Sequence, residues 1–166
     1  MDISSTEAFL SYWQKIRART RRVVCCIPPD RVEWSPQDGL WTLGDLVRHL
    51  VALEREMFAE NAHGRPSRYQ GCGEELASGY DEVLAYFDRV GSETSALIGE
   101  LGDERLQERC TTPGGASIPV WKWLRAMVEH HVHHRAQIYT YLSLLGVETP
   151  PLYGLTSEEV AERGVR

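Results

Sequence analysis

The sequence predicts an all-α protein, an antiparallel four-helix bundle with a short C-terminal helix, and places residues 1–166 in one domain. Four long segments repeat their apolar residues at the three- and four-residue spacing of a helix. Breaks rich in proline, glycine and polar residues separate these segments. No segment alternates strongly between apolar and polar residues, as a half-buried strand does. The helices must therefore bury their apolar faces against one another.

The first helix is predicted from Thr6 to Cys26 and the second from Thr42 to about Asn61. Ser4 and Thr42 are expected to cap them, because each has an acidic residue three positions later. The pair Pro28-Pro29 ends the first helix, since proline cannot donate a backbone hydrogen bond. The second helix has an apolar stripe of Leu43, Leu46, Leu50, Leu53, Met57 and Phe58, with one histidine, His49, inside it.

The third helix is predicted from about Ser78 to Leu101, with Gly91 as a weak point or a kink. The turn cluster that follows contains Gly114-Gly115, which fits either a hairpin or a plain loop.

The fourth helix is expected to start at Ser117 and Pro119, a capping side chain and a proline at the first turn. It runs to Leu145 and stops at Gly146. A short terminal helix over about Ser157 to Arg163 completes the chain.

Charge and composition exclude several classes of protein. The net charge of −6 argues against a nucleic-acid partner, which would need a basic surface to neutralise phosphates. No apolar run is long enough to span a membrane, and the N-terminus lacks the pattern of a secretory signal. The four cysteines form no C-x-x-C motif, so neither a disulfide framework nor a zinc ribbon is expected. A reducing, cytoplasmic location fits best.

The stretch "EHHVHHRAQ", Glu129 to Gln137, holds four of the six histidines. At about 100° per residue, His130 and His134 are neighbours one turn apart, with His131 and His133 on either side. The apolar stripe of this helix passes through His130 and His134, which are therefore predicted to face the bundle interior. That stripe consists of Val120, Trp123, Leu124, Met127, Ile138, Tyr141 and Leu145.

Two imidazoles at positions i and i+4 of one helix face can hold a divalent metal. Two ligands are not enough, and we predict His49 of the second helix as the third. Neutral imidazoles suit Zn²⁺, Ni²⁺, Fe²⁺ or Cu²⁺, and three protein ligands leave a position open for water or substrate, as in catalytic sites.

Three further side chains have candidate roles at this site. Asp45, one turn before His49, is expected to accept a hydrogen bond from its second ring nitrogen. Glu56 and Gln137 are candidates to contact a metal-bound water and are the only catalytic residues the pattern suggests.

Plainer interpretations compete with these. A lone histidine in an apolar stripe, such as His49, is often a core residue with satisfied hydrogen bonds. His131 and His133 are interpreted as flanking residues, at the surface, at an interface or behind the ligands. Cys110 is a possible reactive thiol without a visible activating group. The tryptophans are expected in the core or an interface, namely Trp34, Trp41, Trp121 and Trp123.

Two stretches, "WTLGDLVRHLVALE" and "EHHVHHRAQIYTYLSLLGVETPP", resemble the DinB-like superfamily of damage-inducible bacterial bundle proteins, the YfiT/DinB type. The family's fourth helix has a histidine, three residues and then "HRGQ", which corresponds here to His130 and to His134 through Gln137, with Ala136 in place of glycine. The family's second-helix histidine corresponds to His49. The resemblance thus implies the metal ligands His49, His130 and His134.

The resemblance also implies a function. It suggests Zn or Ni as the metal, and an enzyme that transfers a low-molecular-weight thiol, as co-substrate, to an electrophilic small molecule. A metal-dependent hydrolase on the same site is the first alternative. The second is a non-catalytic stress protein that binds a metal or another ligand. The family resemblance further implies a homodimer, with His131 or His133 and the extra aromatic residues as candidates for its interface.

Overall fold

The computed structural model of the protein describes residues 3–164. Its helices are α1 (Thr6–Val24), α2 (Leu43–Leu53), α3 (Glu60–Ala62), α4 (Tyr80–Gly99), α5 (Asp103–Gln107), α6 (Val120–Leu144) and α7 (Ser157–Gly164). A 3₁₀ turn occupies Pro29–Arg31, and a π-helical turn, Glu54–Ala59, joins α2 to α3. Two short antiparallel strands, β1 (Arg109–Thr111) and β2 (Ser117–Pro119), form a hairpin before α6.

The long helices pack as a four-helix bundle. Helix α1 contacts α4 and α6, and α2 contacts the same two helices from the other side. The predicted all-α bundle with a short C-terminal helix is thus confirmed. None of the helices within residues 3–164 is both long and apolar enough to cross a membrane.

The apolar core consists of two clusters, one towards each end of the bundle. Along α1, for example, Ile16 belongs to the first cluster and Val23 to the second. Between the clusters the bundle contributes buried polar side chains, which form a polar layer across its middle. This layer contains Arg17 and Thr20 of α1, Glu54 of the π-helical turn, Thr94 of α4, and His131, His134 and Arg135 of α6.

Side-chain caps fix where the first two long helices begin. The capping box of α2 forms as predicted, because Thr42 Oγ1 accepts from the Asp45 N–H and Asp45 accepts from the Thr42 N–H. The cap of α1 is Ser5 rather than Ser4. A tertiary contact accounts for the shift, since the Asp103 carboxylate accepts the N–H of Thr6, the first residue of the helix.

The π-helical turn was not predicted. The second helix was expected to run as one α-helix to about Asn61, and it does continue to Ala62, but with a wider turn over Glu54–Ala59. A π turn takes more residues per turn than an α-helix, so the side chains after Leu53 are rotated away from the directions that α-helical spacing gives.

The hairpin and Gly91 also differ in part from the expectations. The Gly114-Gly115 pair lies in the hairpin between β1 and β2, with Gly115 at a φ of 81°. Ser117 belongs to β2, and α6 starts only at Val120, without a side-chain cap. Helix α4 continues through Gly91 without interruption.

Candidate metal centre

The bundle brings His49, His130 and His134 together, as predicted. One ring nitrogen from each lies within 4.8 Å of the other two. The Nε2 atoms of His49 and His130 are 3.3 Å apart. Two nitrogens bound tetrahedrally to Zn²⁺ at ~2.1 Å would be separated by ~3.4 Å. The spacing and the chemistry of these three donors therefore fit a divalent metal.

Two of the three imidazoles have their other nitrogen held by a neighbour. His49 Nδ1 is 2.7 Å from the Tyr69 hydroxyl, and His134 Nδ1 is 2.6 Å from Gln137 Oε1. Since an amide oxygen can only accept, His134 carries its proton on Nδ1 and has the lone pair of Nε2 free. His130 Nδ1 is buried and has no hydrogen-bond partner among residues 3–164.

The three imidazoles are neutral near pH 7. Burial lowers the pKa of His49 to about 4 and that of His130 to about 3, and in both cases the neighbouring His134 adds to the shift. Burial also lowers the pKa of His134, although its hydrogen bond to Gln137 opposes the change. Neutral imidazole is the form that binds a metal, so no proton has to be removed first.

Aromatic rings surround the three histidines. Trp41, immediately before the cap of α2, has its ring centre 4.4 Å from that of His49 and 6.1 Å from that of His134. Phe58 lies 5.5 Å from His130 and 4.5 Å from Trp123. Trp41 is 41% exposed, so it lies between the imidazoles and solvent. Sequence reasoning assigned these two tryptophans only a general role in the core or an interface.

Asp45 does not hold His49, contrary to the expectation. Its carboxylate caps Thr42 and accepts from Arg48 at 2.8 Å, while Tyr69 takes the place beside His49. Arg48 is fully buried and also bridges to Glu33, so this ion pair fixes the start of α2 rather than the ring of His49. The hydrogen bonds from Arg48 and Thr42 outweigh the opposing effect of burial and lower the pKa of Asp45.

The two catalytic candidates occupy different positions. The Glu56 carboxylate pairs with Arg68 at 3.0 Å and makes no hydrogen bond to the three histidines. Glu56 lies within the π turn, so the α-helical spacing that aligned it with His49 does not apply. Gln137 does reach the site, but its amide oxygen contacts the ring of His134.

His131 is buried completely, so the surface and interface interpretations are wrong for it. Its Nδ1 is 2.6 Å from Glu54, whose carboxylate also pairs with Arg17, and the Trp13 ring meets it edge-on at 4.9 Å. His131 lies four residues after Met127 and seven residues before Ile138, and this helical spacing to two buried residues is the signal that identifies it as a core position. His133 is exposed, which fits the surface interpretation.

Tyr69 lies in the polar loop after α3, and sequence reasoning did not identify its hydroxyl as a partner of His49. Cys110 is 3% exposed, and burial raises the pKa of its thiol, which makes it a poor nucleophile.

A four-helix bundle with three neutral, convergent imidazoles on facing helices defines a helical-bundle protein with a candidate metal centre. The chain matches the family model of the DinB superfamily over residues 12–138, and it belongs to that superfamily.

Two proteins of Bacillus species are similar over most of the chain. The uncharacterized protein YrdA of Bacillus subtilis (strain 168) is 24% identical over 162 residues, which are 95% of this chain and 93% of YrdA. A DinB-like protein of Bacillus cereus ATCC 10987 is similar in crystal structure, with a TM-score of 0.72 at 18% identity, over 89% of this chain and 97% of that chain.

Two further crystal structures share the fold. YfiT from Bacillus subtilis, described as "a probable metal-dependent hydrolase with an unusual four-helix bundle topology", gives a TM-score of 0.67 at 17% identity over 86% of this chain and 89% of YfiT. The mycothiol-dependent maleylpyruvate isomerase gives 0.63 at 16% identity over 80% of this chain and 60% of that chain.

Proposed function

We propose that this protein is a metal-dependent enzyme acting on a small molecule, with His49, His130 and His134 as the ligands of one divalent ion, Zn²⁺ or Ni²⁺. The observation that carries the proposal is the 3.3 Å separation of the Nε2 atoms of His49 and His130 within the cluster of three. Three imidazoles buried in an apolar surrounding are costly unless something satisfies them, and a metal would do so.

The neighbouring residues prepare this site. Gln137 and Tyr69 hold the outer nitrogens, which fixes the orientation of two of the rings. Trp41, Phe58 and Trp123 provide apolar walls that would receive the carbon skeleton of a substrate and limit the access of water. A bound divalent ion would supply a Lewis acid that lowers the pKa of a coordinated thiol or water.

Thiol transfer is the reaction we favour. Three neutral ligands would leave the positive charge of the ion uncompensated, which favours a soft anionic fourth ligand such as a thiolate. Within residues 3–164, the outer nitrogens of His49 and His134 contact the neutral groups of Tyr69 and Gln137, so no carboxylate beside these two rings offsets that charge. In the reaction, the thiol gives up its proton and its sulfur forms a bond to an electrophilic carbon. The displaced electron pair then takes up a proton on the acceptor atom or the leaving group.

Metal-dependent hydrolysis is the second candidate. The description of YfiT as a probable metal-dependent hydrolase supports it, since YfiT shares the fold. In this reaction water replaces the thiol, and no co-substrate is required.

Elemental analysis tests the metal centre. Protein purified without a histidine tag should contain close to one Zn or Ni per chain, and His134→Ala should lose it. Protein that stays metal-free when Zn²⁺ and Ni²⁺ are offered would contradict the site. Alanine is the chosen replacement because a larger apolar side chain would repack the pocket, and His133→Ala, which removes an exposed neighbour, is the matched control.

Turnover of an electrophile separates the two enzyme functions. With 1-chloro-2,4-dinitrobenzene and a panel of low-molecular-weight thiols, thiol transfer requires the thiol, the metal and His134. Hydrolysis of ester substrates that requires the metal but no thiol would support the second candidate. If metal-loaded and chelated protein behave alike in every assay, both enzyme functions fail and the non-catalytic binding protein remains.

The oligomeric state is a separate proposal. We infer a homodimer from the family resemblance, and light scattering should then give twice the chain mass of 18.9 kDa. A mass equal to one chain would contradict it.

A further inference from the structure

A cavity of about 660 Å³ lies between α6 and the segment that follows it, and none of the three histidines lines it. Its walls combine Arg135 and Val132 of α6 with Leu152, Tyr153 and Leu155 of the C-terminal segment. The cavity is large enough for a small organic molecule.

Arg135 is the unusual member of this wall. It is 2% exposed, and its Nη1 atom has no hydrogen-bond partner among residues 3–164. The other buried arginines of residues 3–164 form ion pairs with carboxylates: Arg17 pairs with Glu54, and Arg48 pairs with Glu33. A buried guanidinium without a counter-ion is strongly unfavourable, so this position is suited to an anion from outside the chain.

The surrounding charges do not supply that anion. The Arg19 guanidinium stands over the Tyr153 ring at 5.3 Å, which adds positive charge to the same region. Glu158 also lines the cavity, but it is solvent-exposed and forms no ion pair with Arg135 within the described residues.

We propose that this cavity binds the oxyanion of a small organic acid, a carboxylate or a phosphate ester, through Arg135. The guanidinium presents parallel N–H donors that match two oxygens of such a group. The apolar side chains of Val132, Leu152 and Leu155 would hold the carbon skeleton. The site does not rest on the metal centre, and its ligand would bind whether or not the three histidines hold an ion.

Val132 allows a test that leaves Arg135 in place. It lies three residues before Arg135, lines the cavity and is 38% exposed, so its replacement should not prevent folding. In Val132→Glu the new carboxylate reaches Arg135 along the helix and becomes its counter-ion. Val132→Gln has nearly the same shape without the charge and is the matched control.

Isothermal titration calorimetry with phenylacetate and phenyl phosphate measures the effect. We expect at least one of them to bind the wild-type protein and Val132→Gln, and to bind Val132→Glu roughly tenfold or more weakly, because a charge-assisted hydrogen bond is lost. The tighter of the two probes assigns the ligand class. The same binding in His49→Ala separates this site from the metal centre.

Three results would overturn the proposal. The first is that neither probe binds the wild-type protein. The second is that Val132→Glu binds them as tightly as Val132→Gln does. A probe whose binding disappears in His49→Ala but persists in Val132→Glu belongs to the metal centre, and this too rejects the Arg135 site.

Discussion

Gln137 determines which nitrogen of His134 faces the candidate metal, because its Oε1 accepts the Nδ1 proton at 2.6 Å. We expect Gln137→Ala to weaken divalent-metal binding by roughly 10- to 100-fold, the usual effect of removing a partner of a ligating histidine. Competition with a chromogenic chelator measures the dissociation constant. Gln137→Glu keeps an acceptor oxygen and should recover most of the affinity. Equal affinity in Gln137→Ala and the wild type would contradict this role.

Glu54 balances the buried charge in the polar layer. It is fully buried and contacts both Arg17 and His131. We expect Glu54→Gln to lower the free energy of unfolding by about 3–5 kcal/mol, because it leaves Arg17 buried without a counter-ion. Urea denaturation measures the change.

The double variant Arg17→Met/Glu54→Gln is the control for this charge effect. Since both charges are gone, its free energy of unfolding should fall by less than the sum of the decreases in the single variants Arg17→Met and Glu54→Gln. Strict additivity would show that the two side chains act independently.

Helical spacing predicted the three central histidines because each lies on a regular stretch of helix, where phase alone determines the inward direction. The same reasoning could not find Tyr69, because the position of Tyr69 depends on the path of a loop. It also could not identify Arg48 as the partner of Asp45, because that contact depends on the burial of Arg48. His131 was missed for a different reason, since α6 buries side chains towards both α1 and α2 and its inward face is wider than one stripe.

At the scale of helices, Gly91 allows α1 and α4 to approach. A Cβ atom at this position would overlap the guanidinium of Arg17, which donates to the Phe87 carbonyl at 2.7 Å. We expect Gly91→Ala to destabilise the protein by about 1–3 kcal/mol through overpacking, even though alanine favours a helix by about 1 kcal/mol over glycine.

Gly99→Ala in the same helix is the matched control. Its Cβ would meet only Leu10 Cδ1, at an ordinary 3.6 Å, so thermal unfolding should show no loss of stability. Similar effects of the two substitutions would contradict the role of Gly91.

Most helix positions followed from periodicity and turn residues, with ends correct to within a few residues. The hairpin was only one of two options, because three-residue strands such as β1 and β2 are too short to show an alternating pattern. The π turn was missed because the spacing of apolar residues predicts which side chains face the core only while the number of residues per turn stays constant.

At the scale of the whole molecule, a bound metal would link α2 to α6 and so stabilise the fold. A ligand at 100 times its dissociation constant contributes about 2.7 kcal/mol, which for a chain of this size raises Tm by roughly 5–10 °C. Removal of the metal by a chelator should lower Tm by that amount, as followed by circular dichroism. His134→Ala should show no response to chelator or added Zn²⁺, and an unchanged Tm in the wild type would contradict the linkage.

The π turn also has a consequence for chain length. It places the candidate ligand His49 and the buried residues Phe58, Ala59 and Ala62 on one continuous helix with two different phases. A π turn holds one residue more than the α-helical turn it replaces, so loss of a single residue between Arg55 and Met57 would convert it to an α turn and leave those three side chains in the core. The same loss within the regular stretch Leu43–Leu53 would instead turn everything after it by about 100°. Natural variants of this chain should therefore differ by one residue in the π turn more readily than in the helix before it.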